Sequence, residues 1–311
     1  MSNPQTAKIL ESLEMFLLGK RRQLEHALTC LLSGGHLLIE DVPGVGKTTL
    51  AKSFAHSINA SFNRIQFTSD LLPSDLIGVT VFHRDKGQFE FQKGPIFTNV
   101  LLADEINRAN PKTQRALLEA MHDAQVSHDG NTFSLPQPFF VVATQNSKDN
   151  YGTFPLPESQ LDRFLMKIHL GYPTRTYEKR VIQGDYRQDF EAAPRVSLDA
   201  LKTLQDQSAA VHVKDEILDY IYQIIDATRN HPKIKVGVSP RGGQALYRAC
   251  QGLAFIRGRE FVIPDDVLEL VKPVCGHRVL LKQHQTPSSP AGEESVNTIF
   301  NEILQNITQP V

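Results

Sequence analysis

The twelve residues from Ile39 to Leu50, IEDVPGVGKTTL, limit this chain more than any other stretch. An apolar run from Gly35 to Ile39 feeds a glycine-rich turn, and a helix-permitting segment, TTLAKSFAHSI, follows it. Strand, glycine-rich turn and helix in that order form the setting of a phosphate-binding loop. The residue types match the chemistry. Glycines let backbone N–H groups turn toward phosphate oxygens, and the helix N-terminus adds the positive end of its dipole. Pro43, Gly44, Val45, Gly46, Lys47, Thr48 and Thr49 are the candidate binding residues. Lys47 would reach the β- and γ-phosphates, and the Thr48 hydroxyl would ligate Mg²⁺. One position departs from the strict GxxxxGK[ST] pattern: Asp41 stands where the first glycine belongs.

Four further points carry chemistry. The apolar run Asn99–Ala103 ends in Asp104-Glu105. Alone, such a pair reads equally as an acidic helix cap. After a phosphate loop it is the second half of an ATPase site, with Asp104 holding Mg²⁺ and Glu105 polarising the attacking water. The next all-apolar run, FFVVAT, leads into Gln145-Asn146, which places Asn146 beside the γ-phosphate to orient that water. In LPESQLDRF, Arg163 is expected on the exposed end of a short helix, to serve a neighbouring subunit's phosphate as a finger. The alternative is an internal ion pair with Asp162 or Glu158. In VSPRGG, Ser-Pro signals a helix start, and Arg241 is expected to reach back to the γ-phosphate. Glu105, Asn146, Arg163 and Arg241 are thus the candidate catalytic set.

Both-face-buried strands alternating with helices predict an α/β fold, a parallel sheet flanked by helices. A length of 311 residues suits about two domains. The character of the chain changes at Gly171-Tyr-Pro173. Residues 1–171 therefore read as the nucleotide-binding core, with an N-terminal helix and two hairpin inserts (Val79–Gln92 and Gln125–Pro138). Residues 172–311 read as an all-helical lid that closes on a helix over Val296–Ile307, after a Pro/Ser-rich loop at His284–Glu294. Pro95 is expected to start a short helix. Lys plus Arg number 33 and Asp plus Glu 34, a net −1, which counts against a protein that coats nucleic acid. Three widely spaced cysteines make no disulfide or zinc pattern, and no run is long and apolar enough to cross a membrane. A cytoplasmic setting is the expectation.

The stretch KGPIFTNVLLADEINRANPKTQRALLEAMHDAQVSHDGNTFSLPQPFFVVATQNS, with DVPGVGKT before it and LPESQLDRFLMKI after it, resembles the MoxR family of AAA+ ATPases. GVSPRGGQALYRACQGLAFIRGREFVIPDDV is similar to the same family's lid. The resemblance implies a P-loop NTPase core using ATP and Mg²⁺, in a ring that is commonly a hexamer with ATP at subunit interfaces. It implies the helix-2-insert branch, whose inserts match the two hairpins. It also implies chaperone-like work, often beside a von Willebrand factor A domain protein, in maturation or metal-cofactor insertion of target complexes. Ser147, where the family often has proline, is a second departure. Nucleic-acid motors and metal-chelatase motor subunits share the core and stand as alternatives, with a nucleotide-gated scaffold as the non-enzymatic one.

Overall fold

The computed structural model describes residues 3–146, 152–184, 193–282 and 290–310. The chain opens with α1 (Pro4–Phe16) and α2 (Arg21–Leu32), then β1 (Leu37–Glu40), α3 (Lys47–Ser57) and β2 (Phe62–Gln66). A one-turn helix α4 (Pro73–Ile77) leads into the hairpin β3 (Gly78–His83) and β4 (Gln88–Lys93). Next come β5 (Val100–Asp104), α5 (Pro111–Asp123), a second hairpin of β6 (Gln125–His128) and β7 (Asn131–Ser134), and β8 (Phe140–Gln145). Short α6 (Glu158–Leu161) and β9 (Met166–Ile168) complete this part. The remainder is α7 (Arg175–Ile182), α8 (Leu198–Ala209), α9 (Asp215–Asn230), β10 (Ile234–Val236), α10 (Pro240–Ile256), α11 (Pro264–Cys275), β11 (Leu280–Leu281) and α12 (Pro290–Asn306).

Five parallel strands form the central sheet in the order β2-β5-β8-β1-β9. Every residue of β1, β5 and β8 is buried, as a sheet covered on both faces requires. Alternate residues serve different cores because side chains along a strand point to opposite faces. Leu37, Ile39, Val100, Leu102 and Val142 pack with α1–α3 in a core that continues into the C-terminal helices. Leu38, Leu101, Ala103, Val141 and Ala143 pack with α5 and the root of the hairpins. Helix starts follow their capping residues. Asn110 accepts from Lys112 and Thr113 N–H ahead of Pro111, and Ser239 accepts from Gly242 N–H ahead of Pro240. In the helical part, α10 is the hub, packing against α8, α9, α11 and also α2.

Parallel strands bring their carboxyl ends to one edge of the sheet. The loops after β1, β5 and β8 therefore meet, while the segments that enter β1 and β9 meet at the opposite, amino edge.

Several expectations change. Residues 95–99 form turns where a helix was expected. Strand β9 was not foreseen, because three residues with a lysine in the middle show no strand period. Lys167 is buried there by pairing with Glu40 at 3.0 Å. A small antiparallel pair, β10 with β11, lies within the part expected to be wholly helical. Helix α12 begins at Pro290, inside the expected loop, whose residues 284–289 lie outside the described residues, as does Ser147. Cys30, Cys250 and Cys275 are all free and buried among α2, α10 and α11. Burial pushes their thiols up, Cys275 to about 12. No described helix is long and apolar enough to cross a membrane.

Candidate nucleotide site

The loop from Asp41 to Gly46 leaves the carboxyl end of β1. Gly44 (φ +85°) and Gly46 (φ +99°) occupy the left-handed region, which glycine enters without steric cost. Gly46 is the N-cap of α3, and no side chain caps that helix. Its first N–H groups are accordingly open to an anion. A Cβ on Gly44 would meet nothing within 4 Å, so the crown of the loop is clear for a ligand to approach. The Lys47 ammonium donates to the carbonyls of Asp41 (2.6 Å) and Val42 (3.3 Å). Burial pushes its pKa down, and Asp41, Asp104 and Glu105 oppose that shift. One cation thus feels both the loop and the acidic strand tip: the carboxylates of β5 lie beside the phosphate loop. Pro43 and Gly44 are exposed, Val45 is buried, and Thr48 and Thr49 are half-buried in the first turn of α3.

At the tip of β5, Asp104 is fixed by two neighbours. The Thr144 hydroxyl donates to Oδ1 at 2.6 Å, and Arg64 of β2 donates to Oδ2 at 2.6 Å. Glu105 follows with φ +56°, a left-handed conformation that is uncommon outside glycine and concentrates at functional sites. Its N–H donates to the Thr144 hydroxyl at 2.9 Å, and its carboxylate pairs with Arg108 at 2.8 Å. Thr144 therefore orients both acids from the adjacent strand. The expectation attached to this strand end concerned Asn146, which lies half-buried one residue past β8. Thr144 and Arg64 are the residues missed. Each sits inside a strand and reads there as an ordinary β-former or a surface cation. The parallel register, with Ala103 beside Ala143 and Gln66 beside Asp104, is what gives them a role.

The residues fit ATP with Mg²⁺: an uncapped helix start, two left-handed glycines, a lysine, a helix-N-terminal Thr48 and the strand-tip Asp104. Magnesium bound with phosphates needs only one or two protein ligands. A scarcity of His, Cys, Asp and Glu clusters, of which the described residues contain none with metal-holding geometry, is compatible with that.

The arginines lie elsewhere. Arg163 precedes β9 at the amino edge and is half-buried, donating to the Leu118 carbonyl of α5 at 2.6 Å. This corrects the exposed helix-end placement. The internal partner considered for it, Asp162, is held instead by Arg278 at 2.7 Å. Arg241 joins Arg163, Arg248 and Arg278 around a cleft of about 260 Å³ that also includes His36 and Met121. His36 bonds the Met121 carbonyl through Nε2 and accepts from Val141 N–H at Nδ1. Burial drives its pKa down to about 4, with Arg241 adding to the effect against the Met121 bond. Arg241 is thus near the start of β1, and the phosphate loop is at its end. A four-residue strand is about 13 Å long. The expectation that Arg241 reaches back to its own subunit's γ-phosphate does not fit this placement. The docking of α10 against α2 turns it to the amino edge.

Residues 36–166 match the model of the ATPase family associated with various cellular activities (AAA), and residues 226–303 match the AAA lid domain. The Chaperone MoxR1 of Mycobacterium tuberculosis is 40% identical, over 94% of this chain and 79% of that protein. Protein MoxR of Paracoccus denitrificans is 30% identical over 88% of each chain. The uncharacterized protein YeaC of Bacillus subtilis is 43% identical over 99% of this chain and 96% of its own. A crystal structure of a candidate ATPase from Cytophaga hutchinsonii superposes with a TM-score of 0.88 at 34% identity, covering 99% and 96% of the two chains.

Proposed function

The chain belongs to the MoxR family of AAA ATPases, and from that premise we propose that it hydrolyses ATP at an interface between its own copies, driving remodelling of a partner protein. The carrying observation is the separation of the two half-sites. The phosphate loop and acidic pair occupy the carboxyl edge of the sheet, and Arg163 and Arg241 share a cleft at the amino edge. One copy cannot bring them together; adjacent copies of a ring can, and a hexamer is the arrangement proposed.

In this reading Lys47 and the loop N–H groups bind the phosphates, and Thr48 and Asp104 would hold Mg²⁺, which supplies charge neutralisation. Glu105 accepts a proton from the attacking water, and its strained backbone, locked through Thr144, fixes where the carboxylate can go. Asn146 orients the same water. Arg163 and Arg241 of the next copy stabilise charge that develops on the γ-phosphate. Arg241 then senses the neighbour's phosphate, not its own. The domain division at about residue 171 belongs to this reading, since segment 170–172 joins the two halves.

A relative named a chaperone supports the remodelling part. A von Willebrand factor A domain partner, a role in maturation or metal-cofactor insertion, and a cytoplasmic setting complete the proposal on the strength of the family resemblance. The hairpins are the candidate contact with that partner. Phe82 and Phe89 pair across the β3–β4 strands with ring centroids 5.0 Å apart, and both are exposed.

The test is the steady-state ATPase rate per subunit against protein concentration, for wild type and Arg163→Ala. A specific rate that climbs with concentration and collapses in the variant is expected. A rate indifferent to Arg163, from a protein that a sizing column shows to be monomeric, would overturn interface catalysis.

A further inference from the structure

Asp41, the residue that breaks the strict loop pattern, has a buried carboxylate with a defined task. Its Oδ2 accepts the N–H of Gly171 at 2.6 Å, across 130 positions of sequence. Gly171 sits with φ +65° between the sheet and α7. The same segment is held from the other side by Lys20, at the turn between α1 and α2. Its buried ammonium donates to three successive carbonyls, of Leu170 (2.7 Å), Gly171 (3.0 Å) and Tyr172 (2.5 Å). Burial lowers the Lys20 pKa, and the Asp41 carboxylate opposes that.

The turn carrying Lys20 also touches both of the parts it lies between. Leu17 is 3.2 Å from where a Cβ on Gly46 would stand, so it lies against the N-cap of the phosphate-loop helix. Gly19, at φ +72°, lets the Tyr177 ring of α7 approach to 2.4 Å from its own Cβ position, a distance no side chain would tolerate. Asp41 meanwhile offers its carbonyl to Lys47. Two ammonium groups, that of Lys47 at the start of α3 and that of Lys20 in the α1–α2 turn, therefore bear on Asp41, the first through its backbone carbonyl and the second through its charge.

We propose that Asp41 is a positioning residue coupling the phosphate loop to the hinge at Leu170–Tyr172, the Lys20 turn serving as its anchor. This rests on the nucleotide reading above. An anion on the loop draws the Lys47 ammonium toward itself and away from the Asp41 carbonyl. The Asp41 carboxylate, then feeling less of the Lys47 charge, tightens on the Gly171 N–H that it already accepts, and the hinge stiffens.

Hydrogen exchange at the amides of Gly171 and Tyr172, with and without a fluorescent ATP analogue whose binding is measured in the same samples, tests this. Asp41→Asn keeps an oxygen for Gly171 but no charge; Asp41→Gly removes both and restores the strict loop pattern. In wild type the analogue is expected to slow exchange at these amides by about fivefold or more. Asp41→Asn, Asp41→Gly and Lys20→Met are each expected to bind the analogue yet lose most of that slowing. If Asp41→Gly fails to fold, Asp41→Asn carries the test alone. Slowing in Asp41→Asn equal to wild type overturns the coupling while leaving the nucleotide reading intact. Analogue binding that is absent in wild type, or unchanged in Lys47→Ala, overturns the nucleotide reading itself and the coupling with it.

Discussion

The two edges of the central sheet differ in charge as well as in place. The carboxyl edge presents Asp104 and Glu105 beside a loop shaped for phosphate, and each acid already holds an arginine of its own subunit, Arg64 or Arg108. The amino edge presents Arg163, Arg241 and Arg248, with Asp162 committed to Arg278. One edge needs cationic help once phosphate charge develops; the other has cations to supply. Under the function proposed above, a chain divided in this way holds both halves of a catalytic site without holding a whole one, and association becomes a condition of chemistry.

The sharpest way to break the comparison is to disable one edge at a time. Arg163→Ala should lower turnover by about 10³-fold or more, with nucleotide affinity retained, when ATPase rate and fluorescent-nucleotide binding are measured together. Glu105→Gln, at the opposite edge, should cost about 10²–10⁴-fold, again with binding intact. Mixed together, the two inactive proteins should regain a rate that neither shows alone, because some interfaces then pair an intact Glu105 with an intact Arg163. No recovery in preparations that exchange subunits would mean that both residues act within one copy.

A structural member of the arginine cleft should behave differently. Arg278→Leu leaves Asp162 unpaired and abandons the carbonyls of Phe164, Leu165 and Val274. Urea titration should show a loss of about 3–5 kcal/mol, since breaking a buried pair leaves an uncompensated charge. A variant that is stable but inactive would move Arg278 into the catalytic set. The smallest effect concerns the pair that holds α12 to the sheet, His169 with Glu293 at 2.6 Å. The hydrogen bond to Glu293 raises the His169 pKa above 6.5 against the effect of burial. Burial opposes the shift, but His169 and Lys167 bring Glu293 down to about 2. A raised histidine stabilises most below pH 6.5 and loses its contribution as pH rises through its folded value. A depressed carboxylate stabilises above about 4.5 and loses its contribution as pH falls toward 2. The contact should be strongest between those limits, and His169→Gln should flatten the decline in melting temperature above pH 6.5. His169 is partly exposed, so the change should stay under about 1 kcal/mol.

How far the sequence reveals each edge follows from the range of the signals. The phosphate loop and Asp104-Glu105 are written locally, as glycine-rich turn and acidic tip on apolar strands. The hairpins are equally local, since Asp-Lys-Gly and Asp-Gly-Asn turn between alternating segments. Thr144 and Arg64 need the parallel register to have meaning, and no single strand discloses its neighbour. Strand β9 is too short for a period, and its buried Lys167 makes sense only against Glu40 and Glu293. Arg241 shows the limit most clearly. Its helix start was legible from Ser-Pro, but the side of the sheet it faces depends on α10 packing against α2, contacts made across more than two hundred residues.

The three cysteines have a practical consequence. Each lies at a helix junction with no exposed surface, its thiol held protonated by burial. Thiolate is the reactive form, so these positions should ignore maleimide dyes while the protein is folded. A cysteine placed at Phe89, the most exposed ring of the first hairpin, would then be the single labelling point in an otherwise unaltered chain. The natural sequence already supplies the quiet background that fluorescence studies of a hairpin tip require.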